Sequence, residues 1–93
     1  MLIAIDYDET FTSDREVWTA VIKLLQAAGH KIVCATLRRE SESNRLALKA
    51  DLPDGVAIYF CYGSQKRPAL EAKGIFVNIW IDDCPSSIEA LKS

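Results

Sequence analysis

Short apolar runs alternate with amphipathic stretches along this chain, and the alternation predicts its elements. Leu2 to Ile5 is a continuous apolar run that reads as a buried strand. Ser13-Asp14-Arg15-Glu16 follows as a capping box, with Ser13 at the N-cap and Glu16 three residues on. Val17, Trp18, Val21, Ile22, Leu25 and Ala28 then recur at helical spacing, and Gly29 stops the helix. Lys31 to Thr36 is a second strand. A weaker helix runs from about Glu40 to Ala50, placed by Leu46 and Leu48, and Pro53-Asp54-Gly55 makes a turn. Val56 to Phe60 is a third strand, Gln65 to Lys73 a third helix stopped by Gly74, and Phe76 to Ile81 a fourth strand. Pro85 opens a last short helix ending near Lys92.

Four uninterrupted apolar strands alternating with helices predict an α/β fold, a parallel sheet covered on both faces. In such sheets ligands bind beyond the carboxyl ends of the strands, near a point where the strand order reverses. The residues there are Asp6-Tyr7-Asp8-Glu9-Thr10 after strand one and Thr36-Leu37-Arg38-Arg39 after strand two. Gly63-Ser64-Gln65-Lys66-Arg67 follows strand three, and Asp82-Asp83 follows strand four. None of the four ends is bland.

If strands one and four are neighbours, Asp6, Asp8, Asp82 and Asp83 bring up to four negative charges together. Carboxylates that close do not all stay ionised without a counter-charge. A hard divalent cation resolves the conflict, and magnesium suits a site shared with a phosphate. Adjacent strands lie about 4.8 Å apart, so sharing one ion requires the order 3-2-1-4. An Asp carboxylate can attack phosphorus and split one difficult hydrolysis into two easier steps. A second acid two residues on can protonate the leaving alkoxide and then activate water. Thr36 can donate to a phosphoryl oxygen, and Lys66 can offset the charge of nucleophile and phosphate. Arg67 is adjacent and competes with Lys66 for that role.

Composition narrows the setting. Ninety-three residues make one domain spanning residues 1–93, with no repeat, linker or internal boundary. A net charge of −2 gives no long-range pull toward nucleic acid or anionic membrane, so nucleic acid enters only as a substrate. No apolar run approaches the roughly 20 residues that span a bilayer. The N-terminus has no basic leader and reaches a carboxylate too early for a signal peptide. Cys34, Cys61 and Cys84 are odd in number, widely spaced and without a C-x-x-C pair, which reads as reduced thiols in a cytoplasmic protein. His30 reads as a surface residue, and Trp18 and Trp80 as core.

At the strand-end residues the chain resembles the haloacid dehalogenase-like (HAD) phosphohydrolase superfamily. Asp6, Asp8 and Thr10 match its D-x-D-x-T motif and Thr36 its second motif. Lys66 with Gly74 matches the third, and Asp82-Asp83 the terminal acidic pair. The resemblance covers essentially the whole chain. It implies a three-layer Rossmann-like fold and a phosphatase acting through an aspartyl-phosphate. In that reading Asp6 is the nucleophile and Asp8 the general acid and base. Magnesium is held by Asp6, the backbone carbonyl of Asp8, and Asp82, with Asp83 assisting. Arg38 looks like the family's arginine near the phosphate. An acid at position 8 favours a phosphatase over a dehalogenase, whose halide leaves without a proton. Only Glu9 to Ser13 separate Asp8 from the first helix, leaving no room for the family's flap or a cap domain. The site is therefore expected to be open, suiting a bulky phosphorylated substrate or a cap from a partner subunit, and a homodimer is compatible with it. A degenerate HAD scaffold that binds phosphate or a partner without turnover is the competing reading. A response-regulator receiver domain fits less well, since there Thr and Lys follow the acceptor Asp on later strands.

Overall fold

The computed structural model describes residues 1–90. Strands β1 (Leu2–Ile5), β2 (Lys31–Thr36), β3 (Ala57–Phe60) and β4 (Ile79–Ile81) form one sheet. Every neighbouring pair is parallel, in the expected order β3-β2-β1-β4. Helices α1 (Arg15–Ala27), α2 (Glu42–Asp51) and α3 (Lys66–Glu71) connect the strands.

The two-residue period of the strands divides the core in two. Ile3, Ile5, Ile32 and Cys34 pack with Ile22 of α1 and Leu48 of α2. The intervening Ala4, Val33 and Ala35 pack with Leu70 of α3, Cys61 and Val77. Tyr7, just past β1, ties the first group together. Its hydroxyl and Arg15 Nε donate to the same oxygen of Asp51, at 2.5 and 2.8 Å. That joins the turn after β1 to the start of α1 and the end of α2.

Several boundaries differ from expectation, each for a local reason. Ser13 is not the N-cap of α1. Residues Phe11–Ser13 form a 3-10 turn that buries Phe11 completely, so the cap passes to Asp14, which accepts from Val17 N at 3.2 Å. Gly29 ends α1 as expected, at φ +92. Gly29 N donates to Gln26 O and His30 N to Leu25 O, which satisfies the last carbonyls. In α2 the anchors are Leu48 and Leu52, four residues apart, while Leu46 is 63% exposed. Helix α3 is shorter than its apolar pattern, ending at Glu71.

Strand β4 begins at Ile79 rather than Phe76. Pairing with β1 starts at Ile3↔Ile79, and the Asn78 side chain takes the Leu2 N–H that a longer strand would engage. Phe76 is left 64% exposed. After β4, Pro85–Ser87 is a 3-10 turn, and the expected helix end at Lys92 lies outside the described residues. His30 lies at the surface against the N-terminal ammonium. Trp18 and Trp80 are half-buried against the two core groups. No helix among the described residues is long and apolar enough to cross a membrane.

Candidate metal and phosphate site

Parallel pairing puts all four carboxyl ends of the strands on one edge of the sheet, and the polar strand-end residues converge there. A pocket of about 190 Å³ is lined by Asp6, Asp8, Thr36, Leu37, Lys66, Asp82, Asp83, Cys84 and Ser87. All seven predicted site residues except Arg38 line it, and Arg38 grips one that does.

The β1–β4 pairing brings the acids together. Asp6 N donates to Ile81 O at 2.9 Å, continuing the ladder one step past the strands. Carboxylate oxygens of Asp6, Asp82 and Asp83 all lie within 4.8 Å of one another. Thr10 braces them. Its hydroxyl lies 3.1 Å from Asp6 Oδ2 and 3.2 Å from Asp83 Oδ1, and it accepts from Asp83 N. With one proton it donates to only one of the two carboxylates at a time.

Lys66, the first residue of α3, is 1% exposed and reaches in from beyond β3. Its ammonium donates to Asp6 Oδ1 at 2.7 Å and to Asp82 Oδ2 at 2.6 Å. Arg67 points elsewhere, pairing with Glu71 and Glu89 and lying over the Trp80 ring. Geometry therefore selects Lys66 over Arg67 as the base facing the pocket.

These contacts set the charges. Burial pushes Asp6 up to about 6, against the pull of the Lys66 ammonium, while the neighbouring Asp83 and Asp82 add to the rise. Burial also works to strip Lys66 of its proton, but its bonds to Asp6 and Asp82 outweigh this and hold its pKa above the ordinary lysine value. Lys66 is thus a permanent cation, and Asp6 is largely ionised at neutral pH.

Asp8 does not join the acidic cluster. Its side chain turns outward into a two-pronged pair with Arg38, Nη2 to Oδ1 at 2.8 Å and Nε to Oδ2 at 2.9 Å. The guanidinium holds the Asp8 carboxyl below its usual range. Arg38 is itself held by Asn44 Oδ1 at 3.1 Å and lies over the Tyr7 ring, 5.1 Å from its centroid. The expected four-acid cluster is a triad plus an outlying ion pair.

Thr36 Oγ1 accepts from Arg38 N at 3.1 Å, and its hydroxyl proton makes no hydrogen bond among the described residues. It is free to donate into the pocket. All three cysteines are free: Cys34 and Cys61 are buried, and burial pushes Cys34 up to about 12. Cys84 is exposed at the pocket wall.

No protein-family model, curated protein or solved structure matches this chain.

Three residues that the sequence did not single out for a role take part. Thr10, placed only as a motif position, braces both strands' acids. Asn44 orients Arg38, and Ser87 Oγ donates to Asp82 Oδ2 at 3.2 Å. Thr10 was readable as a hydroxyl four residues past a strand-end acid. Asn44 and Ser87 lie only six and five residues past their partners Arg38 and Asp82, but no motif or periodicity marks either one.

The donor set fits a hard divalent cation. Three carboxylates with only oxygen ligands, one of them exposed, suit magnesium or calcium rather than a metal that prefers nitrogen or sulfur. Lys66 supplies the positive charge that the cluster requires when no cation is bound.

Proposed function

We propose that this protein is a magnesium-dependent phosphomonoesterase with a capless, three-layer HAD-like fold, acting through an aspartyl-phosphate on Asp6. The observation that supports the reading is one pocket holding a buried strand-end carboxylate, two further acids, a buried lysine and a hydroxyl with a free proton. Binding or structural roles do not require that combination, whereas phosphoryl transfer uses each part.

Asp6 is the nucleophile. One of its oxygens attacks phosphorus in line with the ester bond, which breaks as the alkoxide leaves. Lys66 holds the Asp6 carboxylate and neutralises charge on the phosphoryl oxygens, and Thr36 donates to one of them. Asp6, Asp82 and Asp83, with the backbone carbonyl of Asp8 that the resemblance implies, would hold a magnesium ion, which would supply Lewis-acid charge to the phosphoryl group.

Asp8 handles the protons. In the resting protein Arg38 keeps it ionised, which is the wrong state for an acid. A substrate phosphate offers Arg38 a competing dianion, and release of the pair lets Asp8 take up a proton and pass it to the leaving alkoxide. Asp8 then accepts a proton from the water that attacks the phospho-Asp6, freeing inorganic phosphate and restoring the carboxylate. Substrates are phosphate monoesters. The open mouth admits a bulky leaving group.

Asp6→Asn decides the reading. Turnover of an aryl phosphate with magnesium should fall at least a thousandfold in that variant, since the nucleophile is gone while Lys66 and Thr36 remain. Wild-type activity that survives removal of magnesium, or survives Asp6→Asn, would exclude the mechanism.

A further inference from the structure

The floor of the pocket is polar, but one side of its mouth is not. Leu37 lines the pocket and is 43% exposed. Outside the pocket lining, on the same edge of the sheet, Tyr62 is 61% exposed. The Arg39 guanidinium lies over the Tyr62 ring, 4.5 Å from its centroid, and Arg39 Nη2 donates to the Tyr62 hydroxyl at 3.0 Å. Arg39 thus braces one aromatic face. The phosphoryl chemistry described above uses none of these three residues.

Their backbone placement relative to the nucleophile is set by the sheet. Leu37 follows β2, and Tyr62 lies two residues past the end of β3, where Phe60 pairs with Thr36 and Cys61 N donates to Thr36 O. β3 is two strands from the β1 end that carries Asp6, a lateral distance of roughly 10 Å. That strand spacing is on the scale of a pentose, so a planar group stacked on Tyr62 suits a ligand whose phosphate and ring are held apart by a sugar. An aryl phosphate has no spacer, so its ring would stop at Leu37. A simple sugar phosphate has no planar group to stack. A long polyanion gains no general attraction from a chain of net charge −2.

We propose that Leu37, Arg39 and Tyr62 form a subsite for the base of a nucleoside monophosphate whose phosphate occupies the Asp6–Thr36–Lys66 pocket. The inference rests on the phosphatase reading for the position of the phosphate. The sugar crosses Leu37, and the base stacks on Tyr62, whose ring Arg39 holds in place. Stacking one base on an aromatic side chain strengthens binding on the order of tenfold.

The test compares adenosine monophosphate with ribose 5-phosphate, which shares the phosphate and sugar but lacks the base. Affinities are measured with magnesium on Asp6→Asn protein, where bound ester is not consumed. The nucleotide should bind about tenfold more tightly. Adding Tyr62→Ala should close that gap, and adding Tyr62→Trp should keep it. Thermal unfolding of each variant checks that the exposed position leaves the fold intact. Equal affinity for the two ligands, a gap that survives Tyr62→Ala, or no detectable nucleotide binding would overturn the subsite. A Tyr62-dependent gap in a protein whose wild type hydrolyses no phosphate ester would instead sink the phosphatase and leave the subsite standing.

Discussion

Two sets of paired charges, one inside the pocket and one at its edge, differ in how much water reaches them. Lys66 sits between Asp6 and Asp82 with side-chain exposures of 2%, 10% and 2%, whereas Arg38 and Asp8 are 34% and 49% exposed. A buried ion pair is a costly arrangement that seldom adds net stability, because both charges lose their hydration. Its retention at a strand-end cluster is better explained by chemistry than by folding. The exposed pair costs little to form and little to break. In the proposed phosphatase, one region stays charged in place, and the other exchanges partners when a phosphate arrives.

The largest effect should come from breaking the buried pair on one side. Lys66→Met leaves Asp6 and Asp82 facing each other without a cation, and should lower unfolding free energy by about 3–5 kcal/mol when magnesium is absent. Urea denaturation measures this. Magnesium should recover much of the loss, because a bound cation replaces the missing ammonium. A variant as stable as wild type in chelator would mean that the two carboxylates do not depend on Lys66.

A pH series sharpens the same point with a smaller effect. In the fold Asp6 titrates near 6, against an ordinary value of 3.8. The native state therefore binds this proton more tightly than the unfolded chain does. The stabilisation this gives is complete below about pH 4 and is lost as pH rises toward 6 in metal-free protein. Lys66, raised above its ordinary 10.5, does not titrate in that window. In the proposed site magnesium binds ionised Asp6, so its affinity should fall by up to about tenfold per pH unit below 6. Thermal midpoints with and without magnesium should converge as pH drops from 7 to 5. Magnesium protection that is flat across that range would separate Asp6 from the cation.

The same contrast explains what was legible in the sequence. Strand order followed from uninterrupted apolar runs and from the need of Asp6 and Asp82 to share a counter-charge. Both are constraints on buried groups, which leave few alternatives. The triad and Lys66 were readable for the same reason. Surface-facing choices were not. The cap of α1 moved from Ser13 to Asp14 because burying Phe11 claimed the intervening turn, and Leu46 and Leu48 were equally apolar in sequence although only Leu48 packs. The outward turn of Asp8 depends on Arg38 and Asn44, thirty residues or more along the chain. Side chains at a solvent boundary have several low-energy positions, and sequence spacing does not choose among them.

Opening the exposed pair gives the smallest change in stability but a clear one in function. Arg38→Ala removes two charged hydrogen bonds to Asp8 that water readily replaces, so unfolding free energy should shift by less than about 1 kcal/mol. If Arg38 transfers to the phosphate, the variant should raise KM for an aryl phosphate by about tenfold, the value of a hydrogen bond to a charged group. Arg38→Lys should restore little of this. An ammonium cannot reach both Asp8 oxygens while also holding Asn44, and it arrives at the phosphate as a point charge without the planar fork. A KM that stays at the wild-type level in both variants would confine Arg38 to tethering Asp8, and release of the acid would then need a different trigger from substrate binding.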